Sequence, residues 1–123
     1  MPVVSTQEIP VFEVNGVSAW GLATPTRGAS EIMVWRHRIE AGQVVPPSWR
    51  DHEEILLVLE GSGVLAEGPT ETPFLAGDVL IVPANTLSRI TTEARTVDCV
   101  HALPSTTRHF TVTGEEMQLP WMH

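Results

Sequence analysis

The sequence has no lysine and no tyrosine, and it has a single cysteine, Cys99. Its seven basic residues are all arginine and face fifteen acidic ones, for a formal net charge of −8. Nucleic-acid binding needs a basic face to neutralise phosphates, and an anionic membrane surface asks the same, so neither partner is expected. One cysteine excludes an intrachain disulfide framework. Long apolar runs are missing too. The longest uncharged one, Val79 to Ala84, is far too short to cross a bilayer. The first residues, MPVVSTQEIPVFEV, carry neither the basic nor the apolar region of a secretory signal, so the expected location is the cytoplasm.

What the sequence does have is β-branched residues: 15 Val, 6 Ile and 13 Thr in short runs. Turn signals cut those runs, among them Asn15-Gly16, Gly61-Ser62-Gly63, Ala76-Gly77-Asp78 and Pro83-Ala84-Asn85. This punctuation predicts strands near 9–14, 17–23, 32–40, 44–48, 54–60, 63–67, 72–75, 79–82, 87–92, 96–103 and 108–113. Few windows hold helical periodicity for three turns; the best, Glu115 to Leu119, could form one turn at most before Pro120 stops it. With 123 residues, 42% of them hydrophobic, the chain reads as one all-β domain over 1–123. The core spans about 32–103, and residues 9–23 and 104–123 pack on it or on a partner. Trp35 alternates with Met33, His37 and Ile39, the pattern of a buried strand face. Trp20 also reads as core. Trp121, in Leu-Pro-Trp-Met, is expected to dock on the barrel or on another subunit.

Two stretches have a distinctive spacing. Gly42 to Gly61 places six residues between Glu54 and Gly61, and Phe74 to Asn85 places five residues between Gly77 and Pro83. Together they resemble the two motifs of the cupin family, G-x5-H-x-H-x3,4-E-x6-G and G-x5-P-x-G-x2-H-x3-N. The resemblance implies a jelly-roll β-barrel of two packed antiparallel sheets, a ligand pocket inside it, and a homodimer. Strand 55–59, apolar on both faces, agrees with a dimer because both its faces need cover.

The resemblance also implies a divalent metal held by three histidines and one glutamate. Here those positions are Ser48, Arg50, Ser88 and the retained Glu54. Serine is a poor ligand and arginine is none. No cofactor is therefore expected at the usual positions. A rearranged set of His52, Glu54 and His101 is the alternative way to hold a divalent metal. His52 lies two residues before Glu54, and a straight strand would put both on one face. Arg50 and Glu54, however, would lie about 13 Å apart on a straight strand, so the chain must bend if both face one site. Arg50 could then pair with Glu54, or offer its fork to an anionic ligand. Cys99 reads as a buried small hydrophobe. His37, His109 and His123 receive no role.

The functional expectation is a small-molecule-binding barrel with a sensor, carrier or accessory role. Its pocket is marked by Ser48, Arg50, His52, Glu54, Ser88 and His101, and its ligand could be anionic. The alternative is an isomerase, cyclase or dioxygenase. It would use the rearranged metal set, or Glu54 and His52 as acid and base.

Overall fold

The computed structural model describes residues 2–123. Eleven strands form two antiparallel sheets. In chain order they are β1 (Phe12–Val14), β2 (Val17–Ala23), β3 (Ile32–Ile39), β4 (Ser48–Arg50), β5 (Glu54–Glu60), β6 (Ser62–Glu67), β7 (Thr70–Leu75), β8 (Val79–Val82), β9 (Ser88–Thr92), β10 (Val97–Pro104) and β11 (His109–Thr111). The six-stranded sheet runs β1-β2-β3-β10-β5-β8, and the five-stranded sheet runs β11-β4-β9-β6-β7. This is the jelly-roll barrel expected from the sequence. Among the described residues the only helices are single 3-10 turns, and no helix is long and apolar enough to cross a membrane.

The strand predicted at 44–48 forms instead at Ser48–Arg50. Pro46 and Pro47 have no N–H to give a ladder, so the segment before them makes only an isolated bridge, Val44 to Thr91. The turn anticipated at 115–119 is likewise displaced, to Pro120–Met122, where proline fits the first helical position.

Two of the crossings between the sheets depend on local backbone geometry. Between β4 and β5 the chain bends at 51–53. Between β5 and β6 it passes through Gly61, whose φ of 86° and close approach to the Thr96 carbonyl leave no room for a Cβ. Asn85, which stands where the family has glycine, takes the left-handed conformation at φ 57°.

Alternation sorts the side chains. Leu56, Val58, Leu65, Phe74, Leu80, Val82, Val97 and Cys99 form one buried apolar cluster. Ala19, Met33, Trp35, Leu103 and Met122 form another, with Leu119 and Trp121 packed on it. Cys99 is fully buried, and burial together with the neighbouring Asp98 charge pushes its thiol up to about 12. The C-terminal segment docks on its own barrel. The Trp121 carbonyl lies against Gly21, its ring is 5.4 Å from that of Trp35, and Thr26 donates to the His123 carbonyl. Trp20 departs from its predicted core position. It is half-buried on the outer face, under the Arg36 guanidinium at 5.2 Å.

Candidate functional site

A cavity of about 170 Å³ lies inside the barrel. Apolar walls come from both clusters: Leu56, Leu65 and Val82 on one side, and Ala19, Trp35 and Trp121 on the other. The polar residues lining it arrive from both sheets. Ser48 and Arg50 come from β4, Ser88 from β9 and His109 from β11, while Glu54 comes from β5, His101 from β10 and His37 from β3.

The bend between β4 and β5 folds Arg50 back over Glu54. Arg50 Nη1 lies 3.5 Å from Glu54 Oε2, against the 13 Å of a straight strand. Both are sealed, with 7% and 2% exposure. The guanidinium also donates to Ser48 Oγ at 3.2 Å and reaches Ser88 Oγ at 3.5 Å. Arg50 thus touches all three other positions that hold the metal in the family. One permanent cation occupies the centre that the resemblance assigns to a divalent ion. A guanidinium and two hydroxyls around the carboxylate do not fit that ion.

The remaining contacts of Glu54 are with histidines. His109 Nε2 donates to Oε1 at 3.3 Å, and His101 Nδ1 approaches Oε2 to 3.4 Å without hydrogen-bond alignment. His101 Nε2 in turn bonds His37 Nδ1. A chain of four titratable groups therefore crosses the barrel: His109, Glu54, His101, His37. Burial pushes the Glu54 carboxyl up, but the fields of His101 and Arg50 and the His109 hydrogen bond outweigh it and hold the group well below the usual carboxylate range. Burial lowers His101 despite Glu54. It lowers His37 well below the ordinary histidine value, helped by His101 and opposed by Glu54. An ionised carboxylate only accepts, so Nε2 of His109 carries a proton, and in the neutral ring Nδ1 is then the acceptor.

Side-chain nitrogens sealed from water and without a hydrogen-bond partner, among the described residues, are Trp35 Nε1, His37 Nε2, Arg50 Nε, His101 Nδ1 and Trp121 Nε1. All belong to residues lining this cavity. Partnerless buried polar atoms are rare in folded proteins, and their collection around one cavity sets it apart from the core.

Of the residues singled out from sequence, Ser48, Arg50, Glu54, Ser88 and His101 meet at the cavity. His52 does not. It sits in the bend, with a side chain 41% exposed, bonded to Asp51 at 2.8 Å. The set His52, Glu54 and His101 is thus not assembled, and among the described residues no three His, Cys, Asp or Glu side chains are placed to share an ion. His109 and His37 were missed. The signal for His37 was its place on the buried Trp35 face. His109 had no local signal, because it reaches the site by pairing across the sheet with Arg50.

The profile described as "Cupin domain" matches residues 35–100. No curated protein matches the sequence. Among solved structures, the polyketide cyclase RemF from Streptomyces resistomycificus superposes with a TM-score of 0.78 at 16% identity, covering 99% of this chain and 89% of the cyclase. The DMSP lyase DddQ from Ruegeria pomeroyi DSS-3 gives 0.76 at 14% identity, over 87% of this chain and 62% of the lyase. A salicylate 1,2-dioxygenase from Pseudaminobacter salicylatoxidans gives 0.72 at 20% identity, over 86% of this chain and 33% of the dioxygenase. These likenesses are of fold.

Proposed function

The chain belongs to the cupin family, and from that premise we propose that it binds a small, neutral, largely apolar molecule inside its barrel. The observation that carries this reading is the apolar cavity with the Arg50 guanidinium at its polar end. A cavity near 150 Å³ accommodates a benzene ring, so about 170 Å³ suits one ring with small substituents. The Arg50 guanidinium lines the cavity and its Nη2 has a hydrogen beyond the Ser48 bond, which favours an oxygen acceptor on the ligand. Glu54 balances the Arg50 charge, so the occupant need not be an anion. The role is that of a cytoplasmic carrier, sensor or accessory protein.

Saturation-transfer NMR with acetophenone, benzoate and toluene tests the reading. Acetophenone should bind and quench Trp fluorescence, because Trp35 and Trp121 line the cavity. Toluene should bind more weakly, and benzoate weakest of all. Absence of binding by all three would overturn the reading.

We also propose a homodimer through the outer face of the six-stranded sheet. Leu57, Val79 and Ile81 are exposed there, and Ile55 and Val100 lie alongside in register. Monomeric proteins rarely leave so continuous an apolar face to water. Light scattering should give twice the chain mass, and Leu57→Glu should halve it; a wild-type monomer refutes this interface.

A further inference from the structure

We propose that this cavity catalyses proton transfer at the carbon next to a carbonyl group, with His109 as the base, Glu54 as its positioning residue and Arg50 as the cation that receives the developing oxyanion. The inference rests on the ligand-binding reading above and assigns a reaction to the same cavity.

The geometry carries it. His109 and Arg50 are directly paired residues of β11 and β4, so their side chains leave the same face of the sheet side by side. Glu54 lies against both, at 3.3 Å and 3.5 Å. Its carboxylate can only accept, so it holds a proton on His109 Nε2, and the neutral ring then has its lone pair on Nδ1. A carboxylate that fixes the tautomer of a histidine and stabilises its charged form is the arrangement a general base requires. Burial of Glu54, and its contact with a permanent cation, keep it from being the base itself. Arg50 retains donors beyond its contacts with Ser48 and Ser88, and apolar walls raise the strength of any hydrogen bond to an oxyanion.

The step balances without a cofactor. The C–H bond next to the carbonyl breaks, its proton goes to His109 Nδ1, and its electron pair moves through the carbon–carbon bond to the carbonyl oxygen. That oxygen becomes an enolate held by Arg50. Return of the proton from His109 to a different atom gives a tautomer or double-bond isomer; return to the same carbon gives exchange. His109 also borders a second cavity of about 180 Å³, where Ser105, Thr107, Arg108 and Glu116 stand among Met33, Met117 and Leu119. The substrate class is a neutral ketone of about one ring.

The test follows loss of the α-proton signals of acetophenone, cyclohexanone and β-tetralone in deuterium oxide by NMR, with binding measured in parallel by saturation transfer. Wild-type protein should accelerate exchange of at least one ketone. His109→Gln should keep binding and lower the exchange rate by roughly a hundredfold or more. Glu54→Gln should also lose exchange, and Glu54→Asp should recover part of it, which a merely structural loss would not allow. Circular dichroism confirms that each variant is folded. As a second route, His109→Ala should regain exchange when free imidazole is added. Binding without wild-type exchange would overturn the proton-transfer proposal while leaving the binding reading intact. Unchanged exchange in His109→Gln would remove His109 as the base. Failure of all three ketones to bind would overturn the reading on which the proposal rests.

Discussion

Two carboxylates in this barrel are almost completely sealed from water, each beside arginine, and they are finished differently. Asp98, 1% exposed, belongs to the six-stranded sheet. Arg36 grips it at two points, Nε to Oδ1 at 2.8 Å and Nη2 to Oδ2 at 2.6 Å, and Arg38 adds a contact at 3.3 Å. Glu54, 2% exposed, has no contact shorter than 3.3 Å, and its arginine keeps an Nε with no partner. Charge chemistry is shared; saturation is not. The Asp98 cluster is complete within the protein, with Arg36 further held over Trp20. The Glu54 cluster leaves hydrogen-bonding capacity unused in residues that line a cavity. A buried charge held at ideal lengths is a structural device, and one held loosely among unused donors invites a third participant.

The largest way to break this contrast is Arg50→Met. It strands a buried carboxylate and should lower stability by about 3–5 kcal/mol in urea melts. Adding Glu54→Gln should restore much of that, because the partners of one buried pair are not additive. Strict additivity would mean that Arg50 and Glu54 do not interact. Asp98→Asn should cost less, about 1–3 kcal/mol, because Arg36 and Arg38 are partly exposed and water can take over their charge. An Asp98 loss exceeding that of Arg50 would invert the ranking. The smallest effect lies in mild acid. His37 and His101 are held below their ordinary value near 6.5, so each favours the fold above that pH. Their contribution is lost as pH falls below 6.5 toward their folded values. The slope is at most about 1.4 kcal/mol per pH unit for each histidine. Asp98, held below its ordinary 3.8 because its arginines outweigh burial, weakens the fold only at lower pH. Thermal melts should therefore begin to fall below pH 6.5 in wild type and more gently in His37→Gln.

Much of the barrel was legible because strands and turns are local. The pairing of β-branched runs with glycine and asparagine turns placed nearly every strand, and the motif spacing placed Ser48, Arg50, Glu54 and Ser88 around one centre. What could not be read was register between distant strands. His109 faces Arg50 only because β11 pairs with β4, across 59 positions of sequence. Alternation could not fix the direction of His52, because it sits in the bend between β4 and β5, which belong to different sheets. Trp20 was read as core, but an arginine can shield an indole on an outer face as well as a core can.

Cys99 gives the barrel a chemical clock. It lies on β10, between β3 and β5 near the middle of the six-stranded sheet, and it is the only thiol of the chain. A thiolate must form before a labelling reagent can react, and burial with its thiol pushed up to about 12 prevents that in the closed state. Modification then proceeds only through openings that part β10 from its neighbours. The labelling rate, compared with that of a free thiol, reads the free energy of that opening directly. Occupants of the cavity bear on the same strand through His101, so they should slow the clock in proportion to how tightly they bind.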